Sequence, residues 1–395
     1  MRFQALDSWR GLCAILVAVL HFHGAWHFHD APVVRGGYLF VDFFFVLSGF
    51  VLAHAYDDRI RDMFELGGFV IQRFGRVWPL HVTVLGLFLA VELVALALEP
   101  WLGSAYPREP FTGSRSPFAV LTNLLLIHSL GLHQDVTWNF PSWSISAEFF
   151  TSLAFGVMML LTVRYRNLVS ALLVLASAAI VLAFANSASI DVTVDYGFFR
   201  CMVGFFLGYL AYQVFRAARA KLKGVLPAAG LIEAACVVLV VGFTAAVEVG
   251  PLSYLAPFVF TLTVLVFAFE DGWVSTLLKN RLMLRLGALS YSIYMVHAFL
   301  LLIIENSTAV AGKLLRVQLS HDHMSIAGKV KLIDLGGPWV MDGVIVAYLV
   351  AVVALAALTY RFVEMPGYAY SKRIARRLGG GATRTVTDAA QGTTS

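Results

Sequence analysis

Leu6-Asp-Ser-Trp-Arg10-Gly-Leu-Cys-Ala-Ile-Leu-Val-Ala-Val-Leu20-His21-Phe-His23 is an apolar stretch interrupted by one arginine and one histidine. Arg10 and His21 are separated by close to three helical turns. Both side chains therefore share one helix face, about 16 Å apart along the axis. That is roughly half the hydrocarbon thickness of a bilayer. Ionisable groups in lipid are costly, so a guanidinium near one surface and an imidazole deep inside need an explanation. One is that Arg10 reaches the headgroups while His21 is a hydrogen-bonded core residue. The other is that the face lines a site which something anionic enters near Arg10 and where it reacts near His21.

The rest of the chain sets the medium. Of 395 residues, 59% are hydrophobic and 13% charged, with a mean hydropathy of +0.78. Soluble domains carry about a quarter charged residues. The composition therefore predicts an all-α, polytopic membrane helix bundle with no room for a large soluble domain. Its medium is the lipid bilayer, and no nucleic-acid partner is expected. Cys13, Cys201 and Cys236 all lie in apolar runs without metal-ligand spacing and read as small core residues. Arg2 and Arg10 ahead of a short apolar run could open a signal peptide, but the charges inside the run and the lack of a small-residue cleavage site favour a retained helix.

Ten spans are predicted, at 9–25, 37–55, 77–98, 143–163, 168–186, 196–214, 228–247, 252–269, 287–305 and 340–362. The apolar stretch 117–131 is too short to cross and reads as re-entrant or interfacial. With the N-terminus inside, the arginine- and lysine-rich loops around residues 59–73, 164–166, 216–223, 279–285 and 372–384 all fall on the cytoplasmic side. The positive-inside rule thus favours N-in/C-in with an even number of spans. The proline-rich segment 99–142 reads as an ordered cap over the outer mouth, and 306–339 as a polar outer segment. The domain expectation is one transmembrane domain over 1–366 and a basic, disordered cytoplasmic tail over 367–395. No internal repeat supports a transporter built on inverted repeats.

Depth along the spans groups the costly residues. His21, Asp42, Glu148 and Arg200 fall in one outer-half layer, and grouping is the economical arrangement for buried charges. A carboxylate beside His21 would fix its tautomer and raise its basicity, giving a general base for a hydroxyl. The alternative is a structural ion-pair network. At the cytoplasmic side, Arg10, Arg73, Arg76 and Arg361 with Glu364 form a second group. Arg73 and Arg76 are neighbours on one helix face, a spacing that suits bidentate phosphate binding. Ordinary lipid-facing arginines would give the same spacing. His297 is mid-span in Ser290-Tyr-Ser-Ile-Tyr-Met-Val-His297, and Ser48-Gly49 would allow a close helix neighbour. His23, His27 and His29 lie together near the outer surface, but no helix-borne carboxylate completes a site, so no metal is expected.

Six stretches together resemble the acyltransferase-3 family of integral membrane acyltransferases. They are Leu6-Asp-Ser-Trp-Arg10-Gly with His21, Phe40-Val-Asp-Phe-Phe-Phe-Val-Leu-Ser-Gly-Phe50, Arg73-x-x-Arg76-x-x-Pro79, Trp143-Ser-Ile-Ser-Ala-Glu148, Leu286-Gly-x-x-Ser290 through His297, and Arg361-Phe-Val-Glu364-x-Pro366. The resemblance implies transfer of an acyl group, often acetyl, from a cytoplasmic donor to a glycan or small molecule, with weight on Arg10, His21, Arg73 and Arg76. Physics and resemblance combine into one expectation: an O-acyltransferase of the bacterial inner membrane, moving acetyl from acetyl-CoA or another acyl-CoA to a surface or exported polysaccharide. Arg10, Arg73 and Arg76 would hold the donor. His21, with Asp42 or Glu148, would act as base or carry the acyl group. Trp143, Ser144, Arg200 and His297 would contact the substrate. A small hydroxylated acceptor such as a macrolide is the alternative within the class. A transporter using the same buried ions is the competing class, and would show coupled flux without transfer chemistry.

Overall fold

The computed structural model describes residues 2–57, 59–102, 109–185, 187–221, 228–325 and 328–377. Its α-helices of eight residues or more, in chain order among the described residues, are α1 (Gln4–Leu20), α2 (Phe40–Tyr56), α3 (Met63–Leu102), α4 (Pro117–Leu124), α5 (Trp143–Leu161), α6 (Arg166–Phe184), α7 (Gly197–Lys221), α8 (Ala229–Val247), α9 (Ala256–Phe269), α10 (Arg281–Leu315) and α11 (Pro338–Thr359). Among the described residues, nine helices are long and apolar enough to cross a bilayer. Helix α1, where the first of the ten expected spans was placed, has 17 residues and falls short of that length. The protein is a multi-pass, all-α membrane bundle.

Helix α1 is the axis of the bundle. It runs parallel to α10, Arg10 meeting Ser290 near one end and His21 meeting His297 near the other. Small residues make the approach possible: a Cβ added at Gly11 would lie 2.6 Å from the Gly287 backbone nitrogen. Helices α2 and α7 cross in the same way, with Gly49 against the backbone of Phe205 and Gly208 against that of Val46. In lipid, where apolar side chains gain little by leaving their surroundings, such backbone-to-backbone packing is a main source of helix association. The close neighbour expected at Ser48-Gly49 is thus α7.

Three elements differ from the sequence reading. Helix α3 has 40 residues and begins at Met63, so Arg73 and Arg76 lie three turns inside it rather than at the start of a span. The final helix continues past its expected end to Arg377, so 367–377 is helical rather than disordered, while 378–395 lies outside the described residues. It passes through a π turn at Tyr360–Glu364 just before Pro366. Proline has no N–H to donate, and a wider turn ahead of it accommodates the lost bond. That turn places Glu364 inside and Arg361 outside, over the Phe362 ring, so Arg361 does not join the other arginines. Third, the 306–339 segment is only partly irregular. Helix α10 runs on to Leu315, and strands β1 (Ser320–Ser325) and β2 (Gly328–Ile333) form an antiparallel hairpin, with His321 opposite Leu332 and His323 opposite Val330.

The described part of the proline-rich segment is ordered. Helix α4 and its flanks are fastened to α3 by Trp78 Nε1 donating to Leu124 O (2.9 Å) and by His81 Nε2 at 3.0 Å from Asn123 O. Asn139 Nδ2 donates to Met295 O at 3.1 Å, tying the cap to α10.

Gly11→Leu would force α1 and α10 apart, and overpacking of this kind costs about 1–3 kcal/mol or more. A clear fall in the thermal midpoint in detergent is expected. Gly86→Ala, at a helix position where an added Cβ meets nothing within 4 Å, is the control and leaves the midpoint unchanged or slightly higher.

Candidate active site

Helices α1, α2, α3, α5 and α10 enclose a cavity of about 310 Å³ lined by Arg10, Ser48, Arg73, Arg76, Ser144, Glu148, Ser290, Tyr294 and Tyr368 among others. Each guanidinium in it is already held. Arg10 Nε donates to Ser290 Oγ (2.8 Å) and Nη2 to Gly287 O (3.1 Å), with Asp7 Oδ1 at 3.6 Å. Arg73 Nη2 donates to Glu148 Oε1 at 2.6 Å, and Ser48 Oγ donates to the same oxygen at 2.9 Å. Arg76 pairs through Nη1 with Glu364 Oε1 and lies between the rings of Tyr291 and Tyr368, 5.7 and 5.8 Å from their centroids. Ser292 Oγ donates to the second Glu364 oxygen at 2.6 Å. Three cations thus face three carboxylates, Asp7, Glu148 and Glu364. The cavity is mostly apolar in its lining and its charges are balanced by these pairs, the arrangement that least penalises charge in an apolar bundle.

The inner end of the cavity is a pair of hydroxyls. Ser144 Oγ and Tyr294 OH are 2.8 Å apart, and both reach Pro141 O, at 3.0 and 3.1 Å. One helical turn further along α10 is His297. Its Nε2 lies 3.2 Å from His21 Nδ1, and the two rings stack with centroids 5.2 Å apart. Phe140 closes the side of the His21 ring edge-on at 4.7 Å. His21 is the cap residue of α1, where the chain leaves the helix.

The expected four-residue layer separates into three pairs. His21 pairs with His297. Asp42 and Arg200 form a fully buried two-point ion pair between α2 and α7, Nε to Oδ1 at 3.1 Å and Nη2 to Oδ2 at 2.9 Å. Arg200 also donates to Asp191 Oδ1 (3.0 Å) and Val192 O (3.3 Å), and its guanidinium lies 5.4 Å from the Trp143 ring centroid. Trp143 itself packs in a small cluster with Phe45, Ala147 and Cys201. Neither carboxylate is therefore beside His21 among the described contacts. Asp42 is fixed by α7, and Glu148, which points along α5 toward α3, is fixed by Arg73. Sharing a depth in the membrane is not sharing a face, and the depth estimate alone did not distinguish the two. Ser144 does line the cavity, whereas Trp143 and Arg200 pack beside it.

Sequence reasoning gave no site role to Ser48, which it read as a packing position, or to Tyr294 and Tyr368. A signal was present for Tyr294: with Ser290 and His297 it follows the spacing of one helix face, the face that α10 turns toward α1.

A multi-pass bundle with this cavity takes its class from its relatives, the integral membrane acyltransferases. The family model described as an acyltransferase domain matches residues 3–361, and the chain belongs to the acyltransferase-3 family. It is 35% identical over 155 residues to the "Protein 2 in picA locus" of Rhizobium radiobacter, covering 37% of this chain and 77% of that protein. It is 29% identical over 327 residues to "Acyltransferase MdmB" of Streptomyces mycarofaciens, covering 75% and 78%. A Komagataeibacter xylinus protein with the provisional name of membrane-bound transacylase BcsY is 28% identical over 306 residues, covering 75% and 72%. No solved structure matches. The enzyme class that follows is O-acyltransferase.

The Asp42–Arg200 pair is structural by its geometry. Arg200→Met leaves Asp42 buried without a counter-charge and is expected to cost about 3–5 kcal/mol, while Asp42→Leu with Arg200→Met recovers most of it. Thermal unfolding in detergent measures both. A single variant as stable as wild type would exclude the structural role.

Proposed function

We propose that the protein transfers an acyl group, in the first instance acetyl, from cytoplasmic acyl-CoA to a hydroxyl of a surface or exported polysaccharide at the bacterial inner membrane. The observation that carries the reading is the order of groups along the α1–α10 pair. A charge-balanced cavity beginning at Arg10, Arg73 and Arg76 ends at the Ser144–Tyr294 hydroxyls, and the His21–His297 pair lies one turn beyond. An extended pantetheine arm fits such a cavity, with the donor phosphates competing for the guanidiniums at its start.

The chemistry then follows from the histidine pair. In the tautomer where His21 Nδ1–H donates to His297 Nε2, the Nε2 of His21 keeps its lone pair. It takes the proton of the acceptor hydroxyl as the oxygen attacks the thioester carbonyl carbon. The C–S bond breaks, and the departing thiolate receives the proton from the His21 imidazolium. His297 steadies the imidazole orientation, the part that a carboxylate had been expected to play. Transient attack by His21 Nε2 on the thioester, with acyl transfer in a second step, uses the same geometry. Ser144 Oγ and Tyr294 OH are the hydroxyls near enough to the cavity end to donate to the thioester oxygen as charge develops there.

Three tests address this reading. In lipid nanodiscs with radiolabelled acetyl-CoA, wild type is expected to release CoA slowly to water and faster with acceptor, and His21→Ala to release none. Well-folded wild type that neither binds the donor nor releases CoA would overturn the proposal. His297→Ala is expected to lower turnover by about 10²–10⁴-fold with donor affinity retained, the range for a general-base function. A near-normal rate would reduce His297 to a packing residue. The expected N-in orientation is tested with single cysteines replacing Lys221 and Lys331, of which only the second should react with an impermeant reagent in intact cells. The native Cys13, Cys201 and Cys236 are buried and do not compete.

A further inference from the structure

The short segment that follows His21 is held by local turns and by residues far away in sequence. Ala25 N donates to Ile333 O (2.9 Å), and Ile333 N donates to His23 O (3.0 Å). His27 Nδ1 meets Asp342 Oδ2 at 2.7 Å. At the far end of the segment lies a group with no part in the transfer chemistry. The Asp30 carboxylate sits between two imidazoles, with Oδ1 3.3 Å from His29 Nδ1 and Oδ2 3.0 Å from Nε2 of His323 on strand β1. The His29 and His323 rings are 5.7 Å apart at 87°. The ring of His23 stands edge-on to His29, with centroids 6.4 Å apart.

We propose that His29, Asp30 and His323 form a divalent-metal site, with zinc as its natural occupant, that staples the β-hairpin to the segment carrying His21. Two imidazole nitrogens and one carboxylate oxygen are a donor set suited to zinc. The two imidazole nitrogens approach opposite oxygens of the Asp30 carboxylate, and one ligand atom from each of the three residues lies within 4.8 Å of the others. Zinc bonds of about 2.0–2.2 Å in a tetrahedron set neighbouring ligand atoms roughly 3.4 Å apart, so the three side chains bind one ion by drawing together by about an ångström. No other group of three such ligands is found among the described residues.

The site is also open enough to load. The His29, Asp30 and His323 side chains are 12%, 48% and 32% exposed, so a hydrated ion can reach them while one ring stays largely enclosed. The fourth position is left to water, or to His23 after a change of rotamer. A ring nitrogen that binds zinc must offer its lone pair, so each imidazole binds in its neutral form with the remaining proton on its other nitrogen. The spacing of His23, His27 and His29 did not suggest this site, because one ligand is the adjacent Asp30 and the other comes from a hairpin some three hundred residues later.

Full-length protein in nanodiscs, purified without an oligohistidine tag, is equilibrated with buffered zinc chloride and dialysed, and its metal content measured. Wild type should retain about one zinc per chain, and removal of a ligand in His29→Ala or His323→Ala should weaken binding at least about tenfold. His321→Ala, on the same strand but outside the cluster, should bind as wild type does. Zinc should also slow amide exchange in the 320–333 hairpin of wild type and of His321→Ala, but not of His323→Ala. Wild type without zinc above the level of the His29→Ala/His323→Ala double variant overturns the proposal. So does equal zinc retention by wild type and His323→Ala.

Discussion

Charge neutralisation inside an apolar bundle is the constraint that shapes this protein. Arg10, Arg73, Arg76 and Arg200 all enter surroundings where an unpaired guanidinium would be expensive, and each is met by a carboxylate, Arg10 by Asp7 on its own helix and the other three by one on another segment. The pairs do more than cancel charge. Arg73 with Glu148 joins α3 to α5, Arg76 with Glu364 joins α3 to the π turn of the last helix, and Arg200 with Asp42 joins α7 to α2. Sequence-distant helices are thereby held in register by bonds that fail if any one slides by a turn. Hydrocarbon packing alone does not provide such register, since one apolar face fits another in many positions.

Against that framework, the α1–α10 crossing holds the candidate chemistry rigid. Gly11 and Gly287 bring two backbones together, and the resulting seam carries Arg10, Ser290, Tyr294, His297 and His21 in ascending order. His21 stands where α1 ends, so it joins a rigid helix to a segment that can be shaped by the hairpin. A residue that must be held still, and yet reached by an acceptor, is well served at such a boundary.

Much of this was legible in the sequence, for definite reasons. Apolar runs of span length recur throughout, so the number of helices could be read from hydropathy. Arg10 and His21 stood out because lipid makes them costly. What the sequence hid was direction around each helix. Asp42 and Glu148 were given His21 as partner, whereas Arg200 and Arg73 hold them, because depth follows from counting residues while azimuth depends on how neighbouring helices pack. The inward turn of Glu364 depends on a π turn that hydropathy does not register. The hairpin was overlooked although Lys329-Val-Lys-Leu-Ile alternates with the period of a strand.

Ser144 and Tyr294 close the end of the cavity, and His21, with Phe140 edge-on to it, stands beyond them, so that the four side chains form a wall toward the far end of the seam. On the proposed reading, only the small acyl group passes that wall, and it does so as part of a bond rearrangement. CoA stays on one side and the acceptor on the other. A membrane potential of 100 mV is worth about 2.3 kcal/mol for each elementary charge that crosses. On the same reading, a partition of aromatic and hydroxyl side chains with no net charge to move would let such an enzyme pass an uncharged chemical group while the membrane remains electrically insulating.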